Sequence, residues 1–226
     1  LTETRGHGFL QIPRSRNLNA YKNGFDYDFM GLNGGGPRIV QSNALFPTYI
    51  YPDTIENSEK RHGMCGDIKS ISESYNDFIE NYPIFSFFHP GDEILIETIL
   101  TAHHMGHFEF YLCNLDDIDS PNNRVTQECL FKYRLERVPI PNEISPIDEN
   151  YPYRFYIPPI PCMEFQINGY PGYKSIMKYK LPDKLECKHC VLQWWYFTAN
   201  SCYYDGYESY QGMDKKCKEN WYNPQV

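Results

Sequence analysis

Between Glu93 and Cys113 the chain reads EILIETILTAHHMGHFEFYLC, and this stretch limits the possible folds more than any other. Ile94, Ile96 and Thr98 alternate with Leu95, Glu97 and Ile99; after the break HHMG, Phe108, Phe110 and Leu112 alternate with Glu109 and Tyr111. Successive side chains on a strand point to opposite faces, so this alternation predicts a strand on each side of the break. The break holds His103 and His104, with His107 just past Gly106. At the tip of a rigid strand pair, imidazoles are presented at fixed angles, and neutral imidazole is a common ligand for copper and zinc. From these residues alone the plainer reading is two exposed loop histidines and one packed, hydrogen-bonded histidine; a metal site is the sharper alternative.

Composition says what such strands pack against. Of the 226 residues 16% are aromatic, led by 20 Tyr and 14 Phe, and 17 are Pro, which favours strands and long loops over helices. An all-β domain of this size needs no second unit to bury its core. The net charge of −8 speaks against an electrostatic grip on nucleic acid or an anionic membrane, since both require clustered Lys and Arg. No apolar run approaches the ~20 residues of a membrane-spanning helix. Eight cysteines, Cys65, Cys113, Cys129, Cys162, Cys187, Cys190, Cys202 and Cys217, read as up to four disulfides and so as an extracellular, secreted setting. Cys187-Lys-His-Cys190 with Cys202 could instead be half a zinc site, but no second CxxC completes it. Cys113 is expected to pair with Cys129, because about 15 intervening residues close a disulfide loop worth a few kcal/mol.

Other segments give coarser expectations. Residues 1–6, LTETRG, read as a leader, tag remnant or extension, leaving 7–226 as a single domain. HGFLQIPRSRN reads as a strand leading into a surface loop, too interrupted by Pro13 for a helix. GLNGGGP lacks the GK[ST] ending of a phosphate-binding loop and reads as a tight turn. Ile68, Ile71, Tyr75 and Phe78 recur at helical spacing, so the one short helix is expected over 68–80. The proline-rich stretch 138–161 predicts an extended, polyproline-like excursion. VLQWWYFTA, 191–199, predicts a central strand buried on both faces.

Several of these pieces, taken together and in order, resemble one family. They are His7-Gly8 with Pro13 and Ser15-Arg16-Asn17; Cys65-Gly66-Asp67; Thr101-Ala102-His103-His104 followed by Gly106-His107-Phe108-Glu109-Phe110 and Leu112-Cys113; and Leu181-Pro182 leading to Cys187, Cys190 and VLQWWY. The resemblance is to the chitin-binding type-4 proteins, the lytic polysaccharide monooxygenases of the insect, viral and protist kind. It implies an immunoglobulin- or fibronectin III-like β-sandwich, in agreement with the all-β reading.

The resemblance also implies copper held by a histidine brace. His7 would bind through its side chain and, as the first residue, its amino nitrogen; His104 would be the second ligand, because the family pattern is Thr-Ala-x-His, with His103 the variable position. Glu109 and Gln193 would form a surrounding shell, and Tyr222, or its neighbour Trp221, would lie beneath the metal. The implied activity is oxidative cleavage of chitin or cellulose at C1 or C4, with an external electron donor. With residues 1–6 attached, the His7 nitrogen is an amide and only two ligands remain. That form would suit a non-catalytic carbohydrate-binding or structural extracellular module with assembly partners. Trp194 reads as core, whereas the tyrosines of SCYYDGYESY could stack on sugar rings or on another protein copy.

Overall fold

The computed structural model describes residues 8–24, 86–117, 125, 127–167, 171–199 and 203–212. The expected turn at GLNGGGP and the expected helix over 68–80 lie outside them. Two antiparallel sheets face each other across an apolar core, the sandwich expected from composition. One sheet contains β1 (Phe9–Ile12), β2 (Glu93–Leu100), β5 (Glu136–Val138), β7 (Glu164–Gln166) and β8 (Gly172–Lys180). The other contains β3 (His107–Asn114), β4 (Tyr133–Arg134), β6 (Phe155–Tyr156) and β9 (Cys190–Phe197).

The alternation in the first stretch becomes the core. Ile94, Ile96 and Leu100 of β2 meet Phe108, Phe110 and Leu112 of β3, with Met177 and Tyr179 of β8 beside them. Leu95, on the other face of β2, is 45% exposed. The two strands do not pair with each other, however: β2 pairs with β1 and β8, and β3 with β9, β4 and β6. Residues 101–106 therefore arch from one sheet to the other instead of capping a strand pair. The reason is that both alternating sets are apolar on one face, and facing sheets bury both sets where one flat hairpin would bury neither.

Three other expectations are corrected. Pro13 does not prevent a helix: α1 (Arg16–Lys22) follows directly, with Asn19 N–H donating to Ser15 O at 3.0 Å. Proline obstructs only its own turn, and Leu18, fully buried against Phe9 and Ile99, anchors the helix. The strand buried on both faces is β3, all of whose residues are buried; β9 is only partly buried and, among the described residues, pairs with β3 alone. The proline-rich stretch forms successive turns around β6 in place of an extended polyproline segment, because Tyr156 and Ile157 reach the core and draw the chain inward.

Outside the sandwich, α2 (Gln127–Phe131) covers the outward face of β3, where Cys113, Cys129, Leu130 and Val191 pack together. Cys113 and Cys129 form a disulfide, as expected from their spacing, with Cα atoms 5.1 Å apart. Cys187 and Cys190 form a second, so this CxxC is a disulfide and not half a zinc site. Cys162 is also disulfide-bonded.

Candidate histidine site at the sheet-to-sheet arch

The arch is held by contacts from three directions. Gly106 takes φ +93°, and a side-chain carbon there would collide with the Phe197 carbonyl, so only glycine turns the chain at this point. Met105 is also left-handed, at φ 53°. The end of β9 grips the backbone of His104: its N–H donates to the Tyr196 hydroxyl at 2.8 Å, and its carbonyl accepts from Ala199 N–H at 2.9 Å. Ile157 N–H donates to Gly106 O at 3.0 Å. Tyr196, level with Phe108 across β3 and β9, lies on the core-facing side and joins the core to the arch.

The two adjacent histidines differ in what their rings do. His103 Nε2 lies 2.8 Å from Pro158 O, and its Nδ1 accepts from Met105 N–H at 3.2 Å. A carbonyl needs a donor, so the proton sits on Nε2 and both ring nitrogens are committed to the protein. Burial holds the His103 pKa below the ordinary value, against the Pro158 hydrogen bond. Burial also lowers His104, which keeps its imidazole neutral near pH 7.

His107 begins β3 on the opposite face from the core and is 1% exposed. Its Nε2–H donates to Glu109 at 3.0 Å, its Nδ1 accepts from the Tyr207 hydroxyl, and its ring stacks on Phe197 at 4.7 Å. Tyr111 O–H donates to the other Glu109 oxygen, Oε2, and Arg154 Nε stands 3.7 Å from Oε1. Burial lowers His107. The same burial would raise Glu109, but the hydrogen bonds from His107 and Tyr111 and the nearby Arg134 outweigh it and keep the carboxylate ionised. Tyr207 and Tyr210 are thus spent covering this face: Tyr207 closes on His107, and Tyr210 stacks on Tyr156 at 3.8 Å. Tyr203, 52% exposed, is the tyrosine of the described segment that remains open for stacking.

Comparison with known proteins now bears on this site. The family model described as lytic polysaccharide mono-oxygenase, cellulose-degrading, matches residues 7–223. The chain belongs to this family. Among solved structures, a lytic polysaccharide monooxygenase AA15 from Thermobia domestica, in the Cu(I) state, superposes with a TM-score of 0.57 at 23% identity, covering 85% of this chain and 83% of the other. A chitin-binding domain from Burkholderia pseudomallei matches at TM-score 0.43 and 16% identity, covering 78% of this chain and 84% of that one. The first likeness supports the β-sandwich.

Of the residues expected to serve this lytic polysaccharide mono-oxygenase family member, His104 lies on the arch. His7 and Tyr222 fall inside the family match but outside the described residues. Glu109 faces away from the core, held by His107 and Tyr111. Gln193 is buried and level with Tyr111, four rungs along β3 from His107, or about 13 Å at ~3.3 Å per residue. The structure therefore gathers His104, His103 and Tyr196 in one place and leaves Glu109 and Gln193 in the sheet beneath. Tyr196 was missed as a site residue; the period-two pattern of WWYF, which sets Tyr196 on the face of Trp194, was the available signal. Among the described residues no group of His, Cys, Asp and Glu forms a complete metal cage.

Proposed function

We propose that this protein is a copper-dependent polysaccharide monooxygenase in which His7 and His104 hold the metal. The observation that carries the reading is the register of β1 on β2. Phe9 pairs with Ile99, so Gly8, packed against Ile99 O and Leu100, is level with the base of the arch that bears His104. His7 is bonded directly to Gly8, and the family match begins at His7. Two segments far apart in sequence are thereby led to one end of the sandwich.

The donor set fits the metal. With His7 as the first residue, two imidazoles and its amine would be nitrogen ligands suited to copper, and metal binding requires the neutral imidazole that burial favours at His104. Bound there, copper would supply the oxidising chemistry for cleaving chitin or cellulose, using electrons from an external donor. The chain's own part is to fix the His104 backbone through Tyr196 and Ala199 and to turn the arch at Gly106. Tyr222, or its neighbour Trp221, would supply the aromatic side chain at the copper, while Glu109 and Gln193 support the sheet that carries the arch. Disulfides and a family acting on polysaccharide favour a secreted, extracellular protein. No helix of the described residues is long and apolar enough to cross a membrane.

The test is copper titration with paramagnetic resonance on protein whose first residue is His7. Tight one-to-one binding, a nitrogen-rich axial spectrum and release of oxidised oligosaccharides from chitin or cellulose are expected, all lost in His104→Ala. Weak copper binding with His7 first would instead move the protein to the non-catalytic reading, a carbohydrate-binding or structural extracellular module.

A further inference from the structure

His104 is the proposed copper ligand, and its neighbour His103 is bonded to the protein on both ring nitrogens. His103 joins the two strands of contact that define the arch: Nε2–H reaches across to Pro158 O at 2.8 Å, and Nδ1 takes the amide of Met105 at 3.2 Å. Met105 is the non-glycine residue at φ 53°, a conformation that L side chains adopt only when local contacts favour it. His104 lies between these two, and its own N–H is held by the buried end of Tyr196 at 2.8 Å. Tyr173 closes the far side of His103 edge-on, with centroids 6.1 Å apart. With both ring nitrogens engaged, His103 does not compete for metal, and its ring instead determines where the next residue points.

We propose that His103 and Tyr196 are positioning residues for His104, His103 acting by fixing the turn and Tyr196 by fixing the backbone. This rests on His104 being a copper ligand, as proposed above. Residues that orient a metal ligand from one step away commonly matter for affinity about as much as their geometry is exact, with losses of roughly 10–100-fold on mutation. The two bonds of His103 can be separated chemically. In His103→Asn the amide oxygen falls where Nδ1 was and keeps the Met105 bond, but the side chain is too short for Pro158. In His103→Gln the amide nitrogen can reach Pro158, and the Met105 acceptor is lost.

The experiment combines amide hydrogen exchange on the metal-free protein with copper titration and paramagnetic resonance on the loaded one. In the metal-free protein, His103→Gln and His103→Ala should expose the Met105 amide by about tenfold or more, His103→Asn should retain its protection, and Tyr196→Phe should expose the His104 amide similarly. In the loaded protein, His103→Ala and Tyr196→Phe should weaken copper by about tenfold and alter the hyperfine splitting, with partial recovery in His103→Asn. Melting temperatures of all four variants, measured alongside, confirm that each is folded. Unchanged exchange at Met105 and His104 in His103→Ala and Tyr196→Phe would overturn the proposal, as would faster exchange with wild-type copper affinity and spectrum. If the unmodified protein with His7 first takes no copper, the monooxygenase reading falls and the positioning role falls with it, while the exchange rates still decide whether these residues hold the arch.

Discussion

Gly106 has the least freedom of any residue at the arch, because its left-handed φ and the Phe197 carbonyl leave no room for a side chain. Gly106→Ala is expected to cost about 2–4 kcal/mol in urea denaturation, combining backbone strain with overpacking. The buried histidines make a second prediction at this scale. Burial lowers His103, His104 and His107, so the unfolded chain takes up protons near pH 6.5 while the native state does not. Stability is therefore complete above pH 6.5 and falls as pH drops below it. Glu109 adds a separate window: its folded pKa is depressed, so its contribution is present above its unfolded value near 4.5 and is lost as pH falls through the folded value. Thermal melts from pH 8 to pH 4 should show a plateau, a decline beginning near 6.5 and a steeper one below 4.5. His107→Gln should flatten the first decline, and a melting temperature constant from pH 8 to 5 would contradict the assignment.

At the scale of elements, α2 is a short helix and depends on its attachments. The Cys113–Cys129 disulfide and the packing of Leu130 against Tyr111 and Val191 hold it to the outward face of β3. Replacing both cysteines by Ala should lower stability by about 3 kcal/mol, the loop-closure value for this separation, read as a shift in the denaturation midpoint. A shift below about 1 kcal/mol would mean that packing alone holds the helix. The strands themselves were legible because alternation in β2 and β3 is long and unbroken. Their partners were not legible, since a period of two says which face is apolar but not whether the neighbouring strand lies beside it or across the core. The same ambiguity affected β9: an aromatic run looks equally buried in the middle of a sheet and where, as among the described residues here, it pairs on one side and rings cover it, as Phe131 covers Trp195.

For the whole molecule, copper held by His7 and His104 would be a clasp between β1 and the arch. Ligand that binds only the native state stabilises it by mass action, so copper at about 100 times its dissociation constant should add about 2.7 kcal/mol, reversed by chelator and absent in His104→Ala. An equal copper shift in His104→Ala would place the metal elsewhere. By itself the sequence determined the all-β class, the two long strands, the Cys113–Cys129 bridge, the core role of Trp194 and the family, because each depends on local periodicity, spacing or motif. Only the tertiary structure decided that TAHHMG arches between sheets, that His103 is tied to Pro158, and that Glu109 is held by His107 and Tyr111 on the outward face. His103 and Pro158 are 55 residues apart, and although His107, Glu109 and Tyr111 share one face of β3, no local pattern encodes which surface a strand face will meet once the chain has closed on itself.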